Sequence, residues 1–565
     1  MIQAEFLGRL GVKKTLCYTL PRMRAKWPKL LLILIFVLLL PGIYWGLPSA
    51  ISSQVDAPLP LGSLIFFADR RPDIDIVYPA FHSLFMIPFY GVAFVIYRVM
   101  GGFSHLSSSW PYGFRDVSGF FTSLAVITNL VSAVMGTLLL AIALFFVEAR
   151  KAWAWFALLF MGTNAIFVYY SRVGNLDIPY NFWLAVMLLF VWQFLIKGQP
   201  LKTSLIPAGV AAALAIGSKD QAVGMAIGIC VVLLCIGPRS LTPWRERLGN
   251  TIAFGSTLVG TYALVAILPN ANRWWHHLKF VTGPHAPTPI PMTPYGQIQI
   301  LLLTLDEVIQ AFTVPIIVLC VIGAWQMFRT GLARQFWILV APQIGYYLIV
   351  IAKTRVAYPR FMIPFIIPVF VLTTYGIAWI ADRLPQSRPV QLAWLGLLGS
   401  FLLGHAIVSY GPVTYAQVFD LKRKVAADIP SLVPAGSPLL IARMQATNFP
   451  NRDLYEKYRL MMIPGDPIRP PSRHASNIFY PLTQDAGFFL LGSGGSGLPW
   501  HEPIATPPLS GELVKEWRYP KWVRDHLRVP VLYEFFLYRR TGPFPVDWVA
   551  PLEGGNRSGP LLPSN

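Results

Sequence analysis

The chain contains 565 residues, of which 55% are hydrophobic and 13% are charged, and its formal net charge is +20. Soluble globular proteins carry about 25% charged residues, so this composition excludes an ordinary water-soluble protein and indicates a polytopic α-helical membrane protein. Apolar runs such as residues 31–40, 131–147 and 153–168 approach the ~20 residues that a spanning helix needs. The pattern predicts about eleven transmembrane helices.

Residues 1–29 form a basic arm before the first apolar run. An excess of Lys and Arg marks the cytoplasmic side of a membrane protein, so the arm predicts a cytoplasmic N-terminus. Basic arms also bind nucleic acid, but membrane topology accounts for the charge here and no nucleic-acid partner is needed. The arm has one acidic residue, Glu5, and the basic residues Arg9, Lys13, Lys14, Arg22, Arg24, Lys26 and Lys29.

Residues 81–97 are apolar but do not fit the alternation of basic and acidic loops. If they crossed the membrane, Arg150 and Lys151 would lie outside, against the positive-inside rule. We therefore predict an interfacial helix within a first outer loop of residues 48–120. The outer face then also receives the turn at Asp177, residues 218–220, the loop 269–305, residues 353–360 and the chain after Tyr410.

Several basic residues fall on this predicted outer face, where the topology rule does not expect them. Cations that bind phosphate groups would explain them. Anchors at helix ends, whose charged heads reach the membrane surface, are the alternative, and both interpretations stay open. The residues are Arg172, Lys219, Arg273, Lys279, Lys353, Arg355 and Arg360.

Residues 411–565 lose the long apolar runs and become rich in proline and charge. They predict a separate extracytoplasmic domain with a small α/β fold and a disordered Pro/Gly end. An amphipathic helix is expected at 416–429, and short apolar runs stand at 439–442, 487–491 and 531–538. The Gly-rich stretch 491–497 lacks the Lys-Ser/Thr ending of a phosphate loop and indicates a turn. The four cysteines predict neither a disulfide framework nor a cysteine zinc site.

The first outer loop is rich in carboxylates. Asp56 follows the first apolar run, and a carboxylate held at the membrane surface can take a proton from an acceptor hydroxyl. A carboxylate in water at a helix end is the alternative for Asp56. Asp73 and Asp75 could hold a divalent cation through oxygen ligands, although two carboxylates in such a loop are usually only solvated. A divalent cation therefore stays open, and no other cofactor or metal site is predicted.

Four stretches resemble the GT-C class of polyprenyl-phosphate-sugar-dependent glycosyltransferases, close in pattern to protein O-mannosyltransferases and lipid A aminoarabinose transferases. The similarity covers residues 30–410, which would form the transmembrane domain. The stretches are Asp56 with Tyr78-Pro79 later in the loop, the block 129–136, the turn 170–179 that contains Arg172 and Asp177, and 213–219 followed by 358–364. The chain departs from the pattern at Ala57, where many relatives have Glu, and at Tyr78, where many have Lys.

The resemblance implies roles for these residues. Asp56 would be the catalytic base and Asp177 a second catalytic acidic residue, while Lys219, Arg355, Arg360 and Arg172 would bind the lipid phosphate of the donor. The donor would be a sugar on a polyprenyl phosphate. The acceptor would be a lipid, a glycan or a protein, and the setting would be a bacterial inner membrane.

Five further residues are candidate substrate contacts in the outer loops: Tyr78, His82, Trp274, Trp275 and His276. The paired Trp residues could equally form an aromatic belt that anchors the loop at the membrane surface. Two alternatives to a transferase remain. A transporter or lipid flippase would also have many spans, although its ionisable residues usually lie near the membrane midplane. A non-catalytic scaffold of the same fold is the second.

Overall fold

The computed structural model describes residues 27–45, 79, 81–100, 120–238, 242–269, 271–282, 290–385, 387–442, 459–462, 487–493, 511–527, 529 and 534–542. Most of these residues are helical. The helices are α1 (Trp27–Leu39), α2 (Phe81–Val99), α3 (Phe120–Ala143), α4 (Ala154–Gly162), α5 (Ala165–Ser171), α6 (Asp177–Leu195), α7 (Leu205–Ser218), α8 (Val223–Cys235), α9 (Trp244–Tyr262), α10 (Ala271–Thr282), α11 (Pro294–Phe312), α12 (Val314–Arg329), α13 (Ala333–Tyr346), α14 (Ala352–Thr354), α15 (Ile366–Ala381), α16 (Arg388–His405), α17 (Gly411–Val418), α18 (Leu421–Leu432) and α19 (Lys521–His526).

Tighter and wider helical turns join several of these helices. The 3₁₀ turns are Leu144–Trp153, Leu201–Thr203, Asp220–Ala222 and Pro359–Phe365, and the π turns are Ala263–Ile267, Tyr347–Ile351 and Ala406–Tyr410. The first of the 3₁₀ turns is kinked at Val147 and Arg150.

The described residues contain seven helices that are long and apolar enough to cross a membrane, or up to nine if each bent pair forms one span. Three shorter apolar helices accompany them, including α1 and α2. The protein is therefore an integral membrane protein. The figure of about eleven spans stays a prediction, as does the interfacial placement of α2.

Glycines let two spans of the buried centre approach closely. A Cβ atom on Gly323 of α12 would lie 1.9 Å from the carbonyl oxygen of Leu372, and one on Gly376 of α15 would lie 2.1 Å from that of Leu319. No side chain fits at either position without moving a backbone. Close contact between small residues is a main source of helix association in membranes, so α12 and α15 are fixed against each other.

Two pairs of consecutive helices are separated by sharp breaks, and the two breaks are in contact. Helices α4 and α5 meet at an angle of 63° around Asn164, and α11 and α12 meet at 101° around Thr313, whose φ is 64°. The Asn164 side chain accepts hydrogen bonds from the amides of Ile166 and Phe167 and so caps α5. It also donates to the carbonyl oxygen of Ala311, at 2.6 Å. One amide side chain therefore holds the two breaks together.

The tail combines helices with a mixed sheet. The strands are β1 (Pro438–Ala442), β2 (Arg459–Met462), β3 (Phe488–Ser493), β4 (Gly511–Arg518) and β5 (Glu534–Arg540), in the order β2-β1-β3-β5-β4. Strand β1 is parallel to β2 and β3, while β5 is antiparallel to β3 and β4. Leu439 pairs with Leu460 on one side and with Phe488 on the other. The described parts of the three short apolar runs noted in the sequence thus fall almost entirely in β1, β3 and β5.

The helix predicted at 416–429 is divided. Helix α17 ends at Val418, and α18 begins after Asp420, whose side chain caps it by accepting from the Lys422 amide. The Tyr519 hydroxyl bridges the break, because it donates to the Ala416 carbonyl and accepts from the Leu421 amide. Burial raises the pKa of the Tyr519 phenol, which keeps it a donor. That residues 411–565 form a separate domain stays a prediction.

Candidate functional site

Asp177 and Lys219 form an ion pair at the ends of two packed helices. The Lys219 Nζ atom lies 2.6 Å from Asp177 Oδ1, and the two side chains are 2% and 0% exposed. Asp177 is the first residue of α6, and Lys219 directly follows the last residue of α7. A negative charge is favoured at a helix N-terminus and a positive charge at a C-terminus, so each helix end stabilises the charge it carries. The sequence placed both residues in outer turns, and the structure brings them into contact.

Local hydrogen bonds fix the Asp177 backbone. Its amide donates to Asn175 Oδ1 at 2.7 Å, and its carbonyl oxygen accepts from Asn181 Nδ2 at 2.7 Å. Asp177 Oδ2 is buried and has no hydrogen-bond partner among the described residues. The carboxylate therefore holds Lys219 with one oxygen and keeps the other available as an acceptor.

Aromatic rings connect this pair to the turn that begins at Tyr358. Lys219 Nζ lies 5.6 Å from the centre of the Tyr180 ring, and Tyr346 is close enough to Asp177 to interact electrostatically with it. The Tyr346 ring meets the Phe361 ring edge to face at 6.4 Å. The sequence did not single out Tyr180 or Tyr346. Tyr180 stands one helical turn after Asp177, which was a usable signal, but Tyr346 had none.

Arg360 lies in the 3₁₀ turn Pro359–Phe365. Its guanidinium is 5.3 Å from the centre of the Tyr358 ring and 5.8 Å from that of Phe361. This turn packs against α5, α6 and α11. Contact with two aromatic faces orients the guanidinium without removing its charge, and the turn that carries Arg360 packs on the helix that begins at Asp177.

Arg355 lies in the short segment before this turn, directly after α14. It adopts a left-handed backbone conformation, with φ 56°, which is uncommon for a residue other than glycine. Its Nη1 atom donates to the carbonyl oxygen of Ile290 at 2.7 Å. Gln297 adds a longer bond, from Nε2 to the Ala352 carbonyl oxygen at 3.5 Å. Both contacts tie the turn to the start of α11.

Arg172 is enclosed by protein. Its Nη1 atom donates to Thr414 Oγ1 and Gln417 Oε1, both at 2.9 Å, and its Nη2 atom donates to the Leu38 carbonyl oxygen at 2.6 Å. The guanidinium also lies 5.1 Å from the centre of the Tyr410 ring. These contacts join the end of α1 to α17. They form a structural clamp, and the phosphate-binding role that the resemblance implied for Arg172 stays a prediction.

Asp56 and Tyr78 lie outside the described residues, as do Asp73 and Asp75 of the candidate cation site. The structure describes residues 81–100, which follow these positions along the chain. Phe81, the first residue of α2, packs so closely on Gly217 that a Cβ atom there would lie 2.9 Å from Phe81 Cβ. The loop that carries Asp56 therefore ends beside the turn that carries Lys219.

His82 follows at the start of α2. It is 4% exposed, and its ring stacks on Phe85 with 6.1 Å between the centres. Phe81 contacts Trp183 of α6 edge to face at 6.0 Å. His82 thus lies one residue from Phe81, which contacts α7 at Gly217. Its role in substrate contact stays a prediction.

Helix α10 carries the Trp pair. Trp274 Nε1 donates to Tyr262 Oη at 3.3 Å, which fixes α10 on the helix that precedes it. Trp275 is 50% exposed, with Lys279 Nζ 5.4 Å from its ring centre. His276 is exposed and its Nδ1 atom shares a hydrogen bond with the Asn272 carbonyl oxygen at 2.8 Å. Among the described residues, no group of three or more His, Cys, Asp or Glu is placed to hold a metal ion.

The block 129–136, which contributed to the resemblance, has a packing role. Asn129 Nδ2 donates to the Ile43 carbonyl oxygen at 2.7 Å, and so holds the segment after α1. A Cβ atom on Gly136 would lie 2.6 Å from Ser171 Oγ, and one on Gly174 would lie 3.4 Å from Asn129 Oδ1. The block therefore seats α5 and the turn before Asp177.

No family model matches the chain, and no curated protein matches it by sequence. The chain is similar to several solved structures. ArnT from Cupriavidus metallidurans, bound to undecaprenyl phosphate, is 14% identical, with a TM-score of 0.48 over 94% of this chain and 99% of that one. The oligosaccharyltransferase AglB from Archaeoglobus fulgidus is 12% identical, with a TM-score of 0.47 over 83% and 70%. The arabinofuranosyltransferase AftD from Mycobacteria is 14% identical, with a TM-score of 0.44 over 92% and 40%.

These three proteins are glycosyltransferases of the GT-C class, so the resemblance predicted from the sequence motifs is confirmed as a resemblance. The TM-scores below 0.5 and the low identities assign no activity to this chain. Its function has to be argued from its own residues.

Proposed function

We propose that the protein is an integral membrane glycosyltransferase. It would move a sugar from a polyprenyl-phosphate donor to a hydroxyl group of an acceptor at the outer face of the membrane. The observation that carries the proposal is the buried Asp177–Lys219 pair, set beside the Arg360 turn and the end of the Asp56 loop. Ionisable residues this deep in a membrane protein are costly and mark functional sites.

In the proposed reaction Asp56 takes the proton of the acceptor hydroxyl while that oxygen attacks the anomeric carbon. The new carbon–oxygen bond forms on the face opposite the phosphate, so the anomeric configuration inverts. The bond from the anomeric carbon to the phosphate oxygen breaks, and its electron pair leaves with the polyprenyl phosphate. No redox step and no further reactant are required.

Negative charge grows on the departing phosphate, and the basic residues stabilise that charge. Lys219 and Arg360 supply positive charge in a region from which water is excluded, where electrostatic stabilisation is strongest. Asp177 orients Lys219 and keeps Oδ2 as an acceptor for a substrate hydroxyl. Arg355 holds the turn that carries Arg360, through its bond to the Ile290 carbonyl. We leave Arg172 out of the phosphate set because protein atoms surround it.

The orientation follows from the charge pattern. The basic N-terminal arm lies in the cytoplasm, and the tail after Tyr410 lies on the opposite side, with a bacterial inner membrane as the setting. The acceptor is a lipid, glycan or protein hydroxyl, and the first outer loop and the tail are the regions that reach it.

The test compares purified wild-type protein with Asp56→Asn in nanodiscs. A panel of polyprenyl-phosphate sugars is supplied with membrane extract as acceptor, and release of polyprenyl phosphate is measured. We expect release by the wild type and a loss of about 10²-fold or more in the folded variant, since general base catalysis contributes that much. Release that the substitution leaves unchanged contradicts Asp56 as the base.

A second candidate function is a transporter or lipid flippase. The bends of 63° and 101° favour it, because transporters commonly bind substrates at broken helices. Such a protein would move the intact donor across the membrane and release no polyprenyl phosphate.

A further inference from the structure

A cavity of about 150 Å³ lies between the two helix breaks. Six polar residues from three parts of the chain that are far apart in sequence line it. These residues are Asn164, Glu307, Gln310, Thr313, His405 and Ser409. His526 of the tail completes the wall. The cavity is therefore assembled only when α5, α11, α16 and α19 are all in place.

Hydrogen bonds fix the walls. Asn164 Nδ2 donates to the Ala311 carbonyl oxygen at 2.6 Å, and the Ala165 amide donates to Ser409 Oγ at 2.7 Å. The His405 ring stacks on Phe160 with 4.3 Å between the centres. Binding sites for small molecules are usually formed before the ligand arrives, and this cavity has that property.

The wall has hydrogen-bonding capacity to spare. His405 is 7% exposed and Glu307 is 9% exposed. His405 Nε2 and Thr313 Oγ1 are buried and have no hydrogen-bond partner among the described residues. Buried polar atoms are normally paired. A ligand that carries several hydroxyl groups would offer partners to these two atoms, and it would also donate to the Glu307 carboxylate, whose two oxygens can each accept more than one hydrogen bond.

The charge and the volume of the cavity limit which ligands it can bind. None of the described lining residues is Lys or Arg, so the cavity is not suited to a phosphate, and a buried carboxylate is not suited to a lipid chain. An engineered protein cavity of about 150 Å³ holds one benzene molecule, so there is room for one six-membered ring. A single neutral sugar ring satisfies both limits.

The cavity adjoins the proposed donor site. Pro359 lines it, and the next residue is Arg360, which we assign to the lipid phosphate. A ring bound in the cavity would therefore lie next to the turn that holds the phosphate.

We propose that this cavity is a subsite for one sugar ring, with Glu307, Gln310 and Ser409 recognising its hydroxyl groups. The assignment of that ring to a substrate rests on the proposed function. The ring comes either from the donor or from a glycan acceptor, and the chemistry that recognises it is the same.

The first experiment measures binding directly and needs no transferase activity. Free neutral hexoses and pentoses are added to the protein in nanodiscs, and contact is detected by saturation-transfer NMR. We expect binding to wild type, a loss of about tenfold in affinity for Glu307→Gln, since a hydrogen bond to a charged group is broken, and no binding to Ala311→Leu, which fills the cavity. Gly396→Leu, in the same helix as His405 but facing open space, is the control and should bind like wild type.

The second experiment measures transfer kinetics with the same variants. The KM of the substrate that supplies the ring should rise about tenfold in Glu307→Gln, with kcat retained. A higher KM for the donor identifies the donor sugar, and a higher KM for the acceptor identifies the acceptor sugar.

The outcomes separate the two proposals. Sugar binding that is lost in Ala311→Leu supports the subsite even if no donor is ever turned over. Turnover by the wild type with no sugar binding, and with the same KM values in Glu307→Gln, overturns the subsite and leaves the transferase intact. Equal binding to wild type and Ala311→Leu also overturns it.

Discussion

Two ion pairs at different ends of the helices behave differently. Asp177 and Lys219 are almost completely buried, whereas Arg150 and Asp382 are 31% and 49% exposed, although their charged atoms lie only 2.7 Å apart. Water screens the second pair, and such pairs contribute about 0–1 kcal/mol to stability. The first pair has lost its water, so each charge depends on the other. The two pairs therefore share a short separation but differ in burial, and only the buried pair is a candidate site.

The largest expected effect comes from Lys219→Met. It leaves the Asp177 carboxylate buried without its cation, and breaking a buried pair costs about 3–5 kcal/mol. We expect this loss in the free energy of unfolding, together with a loss of about 10²-fold or more in polyprenyl phosphate release. Thermal unfolding and turnover of the purified protein measure the two effects.

The double variant Asp177→Asn with Lys219→Met separates stability from activity. It removes both charges, so stability should return towards that of the wild type while activity stays low. If activity returns together with stability, the pair has only a structural role.

Arg172→Met should destabilise without a specific effect on catalysis. The variant loses the bonds to Thr414, Gln417 and Leu38, and hydrogen bonds to charged groups contribute about 1.5–3 kcal/mol each. Removal of the buried guanidinium also removes its desolvation cost, which offsets part of that sum, so we expect a net loss of about 3 kcal/mol, measured by thermal unfolding, with the KM for the donor unchanged in the folded fraction. A rise in that KM would restore Arg172 to the phosphate-binding set.

Asn164→Ala tests how the helix breaks are held. The change removes the cap of α5 and the bond to Ala311, so we expect a loss of about 1–3 kcal/mol. Thr163→Ala, at the neighbouring position, removes only a hydroxyl that bonds within its own helix and serves as the control. Equal effects of the two changes would mean that the bridge between the breaks contributes nothing.

Arg150→Gln should have the smallest effect. The exposed pair with Asp382 predicts a change of about 0–1 kcal/mol that shrinks further at high salt. Turnover should match that of the wild type. A loss as large as that of Lys219→Met would erase the distinction between the two pairs.

The sequence was sufficient for the membrane class, and the outer position of Asp177 and Lys219 stays a prediction. Charge placed in short turns between apolar runs carries that information directly. Their direct contact was not predictable in the same way, because it depends on how α6 and α7 pack. The break at Asn164 had a local signal in Gly162 followed by a capping residue, and the break at Thr313 had one in the nearby Pro315.

The role of Arg172 shows where sequence reasoning stops. In the sequence, an arginine near Asp177 has the same appearance whether it binds phosphate or protein. Its partners Thr414 and Gln417 lie about 240 residues away along the chain. No pattern in the sequence near Arg172 indicates that it contacts them. The sequence also gives no sign that Tyr346 interacts with Asp177, because that interaction arises only from helix packing.

The most direct test of the central claim follows a doubly labelled donor in proteoliposomes that contain the wild-type protein, with one label in the sugar and one in the polyprenyl phosphate. A transferase predicts that the sugar label moves to the acceptor while an equal amount of polyprenyl phosphate is released, and that Lys219→Met abolishes both while Arg150→Gln retains both. If the two labels cross the membrane together, with the bond between sugar and phosphate intact, the protein is a transporter and the proposed reaction is wrong.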